Sequence, residues 1–304
     1  MPKYDITILT DPRYVSPKNT DQYVDNVLLE DELVMKSLNA LDLRVTRKSW
    51  DDAAFDWTHT KYALFRTTWD YFDRFPEFSQ WLNSVSTQTR LINSKRLIHW
   101  NVDKHYMGDL QAKGVRIPNT LFIERGENVT LSDAVQRLNT DQFILKPCVS
   151  GAARHTYRMY RRTLADFEPT FQELVASEAM MLQEFQQNIV DKGEISIMVM
   201  GGQFTHAVLK IAKPGDFRVQ DDFGGSVHDY SPSRQEIDFA LRAVAACPEP
   251  PLYARVDIFE DNSGEIALAE LELIEPELWF RNHPDAASVL AKAIKEHIQH
   301  EDAI

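Results

Sequence analysis

Two short apolar runs near the start of the chain, residues 4–10 and 62–67, predict β-strands. Between them the segment LLEDELVMKSLNAL, residues 28–41, places its apolar residues at helical spacing. A strand, a helix and a strand in this order are typical of a parallel sheet. The sequence therefore predicts a parallel α/β unit in this region.

Two regions with a mixed pattern follow. After a turn at residues 114–118, the pattern predicts a strand, a helix, a strand, a polar loop, a helix and a strand at residues 120–123, 132–138, 142–147, 149–158, 163–176 and 181–185. The last region is predicted to start with a strand at residues 193–200, to run through a long polar loop into a hairpin, and to end in a helix at 285–299. We expect domains at residues 1–97, 98–187 and 188–304.

The C-terminal hairpin carries closely spaced charges. Turn residues at 261–264 join its two strands. Arg255 and Asp257 share one face of the first strand, and Glu270 and Glu272 share one face of the second. A loop with an even number of residues would put both pairs on the same face of the sheet, whereas an odd number would separate them. Converging carboxylates suit Mg²⁺ or Mn²⁺, and a solvated strand face with an ion pair is the alternative.

A lysine and small residues follow the apolar strand FILKP. Lys146 ends this strand, and Ser150 and Gly151 lie in the next loop, where small side chains allow backbone N–H groups to approach an anion. The pattern is compatible with a phosphate-binding loop and also with an ordinary β-hairpin. Neither the Walker motif nor the G-x-G-x-x-G motif occurs.

The amino-acid composition argues against some classes of binding partner. The 304 residues carry a formal net charge of −13, which opposes general attraction to nucleic acid or to anionic lipid. No apolar run is long enough to span a membrane, and the chain begins without the features of a secretory signal, so we expect a cytoplasmic protein. The two cysteines are expected to be small core residues.

The order of these motifs resembles that of the ATP-grasp ligases, in their glutathione-synthetase-like branch. Lys146 before a hairpin, LQEF about forty residues later, GE at residue 193, LKIAKPGDFRVQDDFGG at residues 209–225 and the RVD…E-x-E…EP hairpin follow the family's running order from about Lys104 onward. The family more often has E-x-N where this chain has Glu270 and Glu272. The segment FRTTWDYF, residues 65–72, is similar to one in a narrower group that includes the ligase closing the D-cycloserine ring.

The resemblance implies an ATP-grasp fold of the α/β class. Its expected parts are an N-terminal Rossmann-like lobe with a parallel sheet, a small central α+β lobe and a C-terminal α+β lobe.

The resemblance also implies a role for individual residues. The predicted ATP-binding residues are Lys104, Lys146, Ser150, Gly151, Gln183, Glu184, Phe185, Glu194 and Lys210. The predicted ligands for two Mg²⁺ ions, with Mn²⁺ as an alternative, are Asp257, Glu270 and Glu272. The predicted catalytic residues are Arg255, Lys210 and Arg218. The predicted substrate-binding residues are Arg66, Arg218, Gly224 and Gly225, with a structural ion pair as the alternative role of Arg66.

The implied activity is ATP-dependent formation of an amide-like bond through an acyl phosphate, on a small amino-acid-like substrate and possibly with ring closure. A small-molecule kinase and a non-catalytic ATP-binding protein are the alternatives. A homodimer is expected from the relatives. Glu275 is expected to form a structural ion pair, with contact to a substrate amine as the alternative.

Overall fold

The computed structural model describes residues 2–151, 153–219 and 224–303, which form three β-sheets flanked by helices. Each sheet comes from one stretch of the chain, in the order that the sequence predicts.

The N-terminal sheet is parallel, with the strand order β2-β1-β3-β4. Its strands are β1 (Tyr4–Thr10), β2 (Val45–Ser49), β3 (Thr60–Thr67) and β4 (Arg90–Ile92). The accompanying helices are α1 (Pro12–Val15), α2 (Gln22–Asn39), α3 (Phe75–Val85), α4 (Lys95–Asn101) and α5 (Tyr106–Ala112), with a 3₁₀ turn at Trp57–His59. The predicted parallel strand-helix-strand unit is confirmed.

The central sheet is antiparallel, with the order β5-β8-β6-β7. Its strands are β5 (Thr120–Ile123), β6 (Gln142–Pro147), β7 (Tyr157–Tyr160) and β8 (Met180–Glu184). Helices α6 (Leu131–Leu138) and α7 (Leu164–Ser177), the latter preceded by a 3₁₀ turn at Arg161–Thr163, cover it. Phe143 and Leu182 of the sheet pack with Val135 and Phe171 of these helices in a separate buried core.

The C-terminal sheet is antiparallel, with the order β11-β10-β9-β12-β13. Its strands are β9 (Glu194–Met200), β10 (Gln203–Ile211), β11 (Ser226–Tyr230), β12 (Tyr253–Glu260) and β13 (Ile266–Glu272). Helices α8 (Gln187–Lys192), α9 (Arg234–Ala245) and α10 (Asp285–Asp302) accompany it. The predicted long polar loop was wrong in most of its length, because it contains β10, β11 and α9. The buried positions of β10 do not alternate strictly and β11 has no buried position, so neither strand shows the simple apolar pattern of a half-buried strand.

The last helix, α10, packs against both the N-terminal and the C-terminal lobe. Leu290 and Ile294 of α10 share a buried core with Leu38 of α2, Ile6 of β1 and Met198 of β9. The N-terminal and C-terminal lobes are thus packed on a common core, while the central lobe has its own. The predicted domain boundaries at residues 97 and 187 remain predictions.

None of the described helices is long and apolar enough to cross a bilayer.

Candidate functional site

A cavity of about 780 Å³ lies where the three lobes meet. One end is lined by residues of the central and C-terminal sheets, and the other by the segment that follows β3. Lys146, Asp257 and Glu270 all line this cavity, as the predicted site requires.

The charges of the C-terminal hairpin reach one face through a β-bulge. The loop between β12 and β13 spans residues 261–265, which is an odd number, so the sequence rule would have separated the two pairs. Ile258 pairs with Leu268, but Asp257 pairs with Glu270 and Arg255 with Glu272, so that Ala269 is the extra residue. The rule for odd loops is therefore wrong here, because a bulge inside the strand restores the common face.

Arg255 and Lys210 neutralise part of the acidic cluster, by which we mean Asp257, Glu270 and Glu272. Arg255 Nη2 lies 2.9 Å from Asp257 Oδ2 and also contacts Glu272 Oε1. Lys210 Nζ lies 3.2 Å from Asp257 Oδ2 and 2.5 Å from Glu194 Oε1. These contacts place Arg255 and Lys210, two of the three predicted catalytic cations, next to the predicted metal ligands.

The carboxylates of the cluster differ in their electrostatics. Burial would raise the pKa of Asp257, but Arg255 and Lys210 outweigh it and lower the pKa to about 2. Burial raises the pKa of Glu272 to about 8, because it outweighs the opposing effect of Arg255, and the charges of Glu270 and Asp257 raise the pKa further. The cluster therefore combines one carboxylate that stays charged with another whose protonated form is favoured by burial.

A divalent cation fits this arrangement. The cluster offers only carboxylate oxygens, which are the ligands that Mg²⁺ prefers. Burial, with a smaller contribution from the like charges of Glu270 and Asp257, raises the pKa of Glu272, and a bound cation would oppose this rise. The residues present thus suit the magnesium that the resemblance implies.

Two lysines face the cluster from the opposite wall. Lys104 Nζ lies 3.1 Å from Glu270 Oε1 and donates a 2.8 Å hydrogen bond to the Ser150 carbonyl. Lys146 forms no ion pair with any residue in the described ranges, and burial lowers its pKa. A polyphosphate would supply the missing countercharge for Lys146.

The loop after Lys146 approaches the N-terminal lobe closely. Ser150 and Gly151 line the cavity. A Cβ on Gly151 would lie 2.5 Å from Cε1 of Phe72, which is closer than a van der Waals contact allows. Gly151 therefore fits here because it has no side chain.

The end of β8 forms an edge of the cavity. The Phe185 N–H donates to the Gln142 carbonyl at 3.0 Å, and its carbonyl accepts from Asn262 Nδ2 at 2.9 Å. The Glu184 N–H is likewise used, by the Asn119 carbonyl at 2.9 Å. The Glu184 carbonyl accepts a 3.3 Å hydrogen bond from Gln186 Nε2, and the Phe185 ring forms part of the wall.

Two neighbours of this edge are not among the predicted ATP-binding residues. Gln186 lines the cavity, and its backbone N–H has no hydrogen-bond acceptor among the described residues. The Arg158 guanidinium lies 3.8 Å from the centre of the Phe185 ring. The basic character of residues 154–162 is the only signal in the sequence that points to Arg158.

The glycine-containing loop of the C-terminal lobe is described only in part. Arg218 lines the cavity, with Nη2 at 2.7 Å from Asp216 Oδ2. Gly224 and Gly225 do not line the cavity, and residues 220–223 of the same motif lie outside the described residues. The substrate roles of these residues stay predictions.

Arg66 is placed differently from its predicted substrate role. Its side chain is only 1% exposed and does not line the cavity. The guanidinium lies 3.8 Å from Glu30 Oε2 and 3.6 Å from Asp31 Oδ1, and it donates to the Pro276 carbonyl at 3.2 Å. The structure thus corrects the substrate assignment in favour of the ion pair, because two buried acids on α2 already bind this cation.

The segment after Arg66 does reach the cavity. Trp69, Tyr71 and Glu275 line its second end, and Trp69 Nε1 donates a 2.9 Å hydrogen bond to the Glu275 carbonyl. Burial raises the pKa of Glu275 to about 7, against the lowering effect of a hydrogen bond from the Tyr71 side chain. The structural ion pair expected for Glu275 is absent from the described residues, which corrects that prediction.

Comparison with known proteins agrees with this geometry. Residues 107–273 match the model of the RimK-like ATP-grasp domain, and residues 6–93 match that of the N-terminal domain of the D-cycloserine synthetase DcsG. The cycloserine biosynthesis protein DcsG of Streptomyces lavendulae is 28% identical over 272 residues, which cover 82% of this chain and 87% of that protein.

Solved structures show the same fold. The crystal structure of D-cycloserine synthetase DcsG superposes with a TM-score of 0.83 at 24% identity, covering 96% of this chain and 99% of that one. The D-alanine–D-alanine ligase of Bacillus anthracis gives a TM-score of 0.67 at 13% identity, covering 98% and 99%. The predicted ATP-grasp fold is confirmed.

The RimK-like match extends over more than half of the 304 residues and includes Lys146 and the acidic hairpin. The protein therefore belongs to the RimK-like ATP-grasp family and is an ATP-dependent, ADP-forming carbon–nitrogen ligase.

Proposed function

We propose that the protein joins the carboxylate of a small amino-acid-like substrate to an amine and converts ATP to ADP and phosphate through an acyl phosphate. The observation that carries this proposal is the facing arrangement of Lys104 and Lys146 with Asp257 and Glu270 across one cavity. A cationic wall opposite oxygen ligands is what a magnesium-bound polyphosphate requires.

The ATP would occupy the end between the central and C-terminal sheets. Pro118, Ile144 and Leu271 give this end an apolar lining suited to a base, and Glu184 with Gln186 offers a carbonyl and an N–H at its edge. Lys104 and Lys146 would bind the phosphates, with the loop at Ser150 and Gly151 above them. Glu194 is assigned to the ribose, and its pairing with Lys210 holds it beside the cluster.

Asp257, Glu270 and Glu272 would hold the Mg²⁺ ions. When bound, the magnesium would offset the phosphate charge during phosphoryl transfer. Arg255 lies between Asp257 and Glu272, where its guanidinium can orient the acid's carboxylate and stabilise charge on the transferred group.

Two steps follow from the activity of the family. A carboxylate oxygen of the acid attacks the γ-phosphorus, so that ADP leaves and an acyl phosphate forms. An amine then attacks the acyl carbon, the carbon–nitrogen bond forms, and phosphate leaves with the electron pair of the broken bond. Arg218, at the edge of the cavity, is assigned to a loop that keeps water away from the acyl phosphate.

Ring closure is the form of this reaction that the N-terminal lobe favours. Residues 6–93 match the N-terminal domain of a D-cycloserine synthetase, and the segment at Trp69 and Tyr71 lines the cavity away from the ATP end. An acid with its own aminooxy group could then act as both substrates. A cytoplasmic location and a homodimer remain predictions.

Release of ADP tests the proposal. We expect ADP and phosphate only when ATP, an amino acid and a nucleophile are present together, and mass spectrometry should show the amide or the ring. A stable phosphorylated acid in the presence of the nucleophile would indicate a kinase instead. Binding of ATP without turnover across the acid panel would indicate a non-catalytic protein.

A further inference from the structure

Glu275 lies in the cavity at the point where the acidic hairpin meets the N-terminal lobe. The residue follows β13 by three positions, and its main chain is held by the hydrogen bond from Trp69 Nε1 to its carbonyl at 2.9 Å. The Tyr71 side chain lines the same end of the cavity and opposes the rise in the pKa of Glu275 that burial causes. Both lobes thus fix the position of this one acid.

Among the described residues, the neighbouring carboxylates each form an ion pair with a cationic side chain, and Glu275 does not. Glu270 pairs with Lys104, Glu272 with Arg255, and Glu277 with Arg281. Within the part of the chain that the structure describes, the Glu275 carboxylate forms no ion pair. Removing a carboxylate from water without a countercharge is costly, so such a group inside a cavity indicates a ligand that brings the cation.

The surroundings of Glu275 suit an organic cation. Tyr14, Tyr23 and Trp69 line the same end of the cavity, with the ring of Trp69 at 5.9 Å from that of Tyr14 and 6.3 Å from that of Tyr23. Aromatic side chains next to a carboxylate are a frequent setting for an ammonium group.

The position of Glu275 also fits the geometry of an α-amino acid. In such a substrate the ammonium group is one carbon away from the carboxylate that reacts. Glu275 lies close enough to Lys104 and Glu270, at the phosphate end, to experience their charges. A residue that pairs with an α-ammonium group must therefore line the same cavity as the acidic cluster, as Glu275 does.

We propose that Glu275, together with the Tyr71 hydroxyl, binds the α-ammonium group of the acid substrate, so that the substrate is a free α-amino acid. This assignment rests on the proposed function and names the class of its acid. Glu275 is then a specificity-determining residue, since N-acylated and deaminated acids cannot supply the cation.

Hydroxylamine trapping of the acyl phosphate tests the assignment. The probes are the D and L forms of alanine and serine and β-aminooxy-alanine, each compared with its N-acetyl derivative in the presence of ATP and Mg²⁺. We expect hydroxamate from a free amino acid and little from its N-acetyl derivative. Glu275→Gln should lower kcat/KM for the amino acid by about 10- to 100-fold, mainly through KM, because a charged hydrogen bond is lost.

A second variant and a control complete the design. Tyr71→Phe, which removes only the hydroxyl, should weaken amino-acid binding in the same direction and by a smaller factor. Glu173→Gln, an exposed carboxylate on α7 outside the cavity, should leave both kcat and KM unchanged. Thermal melting of each variant would separate loss of binding from loss of folding.

The possible results distinguish this assignment from the proposed function. If the wild type forms hydroxamate while Glu275→Gln retains the full preference for the free amino acid, the assignment is wrong and the ligase proposal stands. A changed requirement for Mg²⁺ or ATP with unchanged amino-acid KM would make Glu275 part of the nucleotide site and overturn the assignment. A wild type that traps no hydroxamate with any acid would contradict the proposed function and the assignment with it.

Discussion

Asp257 and Glu270 pair directly across β12 and β13, and both side chains line the cavity. Burial would raise the pKa of Glu270, but Lys104 and Lys146 together lower it, so the carboxylate stays charged. The pair is therefore ready to bind a divalent cation without a prior loss of protons.

Replacing Glu270 by glutamine should remove activity without unfolding the protein. The substitution keeps the shape of the side chain but removes one metal ligand, and we expect kcat for ADP release to fall by at least about 100-fold, which corresponds to several kcal/mol of lost charge stabilisation. Steady-state ADP release over a range of Mg²⁺ concentrations measures this. Glu173→Gln is the matched control, and near-normal turnover by Glu270→Gln would contradict the metal assignment.

The bulge at Ala269 compensates for the odd length of the loop at residues 261–265. Deleting Ala269 would place Glu270 directly after Leu268, so that Glu270 pairs with Asp257 in a regular ladder and stays on the same face of the sheet. We expect the deletion to retain ADP release, and Ala269→Gly, which keeps the residue count, should retain it as well. Loss of ADP release in the deletion with an unchanged melting temperature, measured by circular dichroism, would contradict this account of the bulge.

Gly151 should tolerate no side chain while Phe72 is present. A Cβ at position 151 would meet the Phe72 ring at 2.5 Å, so Gly151→Ala should displace the phosphate loop and raise KM for ATP more than it lowers kcat. The double variant with Phe72→Leu makes room and should recover part of the ATP affinity, measured as a double-mutant cycle. Purely additive effects would argue against this contact.

His206 should make stability depend on pH. Burial lowers its pKa to about 4, and His283, stacked at 5.1 Å, lowers it further, while the ring Nε2 donates to the Leu278 carbonyl at 2.8 Å. The folded state therefore binds this proton less readily than the unfolded state, whose pKa is the ordinary 6.5. Stability is then lost as the pH falls from about 6.5 to about 4, by at most about 3 kcal/mol.

Urea unfolding at several pH values in that window tests the role of His206. His206→Gln keeps a donor for the Leu278 carbonyl but does not titrate, so its free energy of unfolding should fall less between pH 6.5 and pH 4.5. Parallel slopes for the two proteins would show that other groups determine the acid sensitivity.

The sequence by itself determined the elements and the chemical types of the site. The alternation at Tyr4–Thr10 and the helical spacing on either side of Leu38 depend on local burial, and the structure has a strand and a helix there. The order of lysine, LQEF and acidic hairpin indicated the family correctly, because each motif is a short local segment. The pattern of β10 and β11 was missed, since their burial depends on which neighbours cover them.

Only the tertiary structure decided which charged groups meet. Nothing local distinguishes Arg66, which is satisfied by Glu30 and Asp31 of α2, from an arginine that faces a ligand. The same holds for Glu275. Its surroundings depend on the packing of two segments that are about two hundred residues apart in the chain, and it forms no ion pair with a described residue. Periodicity records the solvent exposure of single segments, whereas pairing between charges depends on long-range contacts and on one extra residue, Ala269, that no periodic pattern predicts.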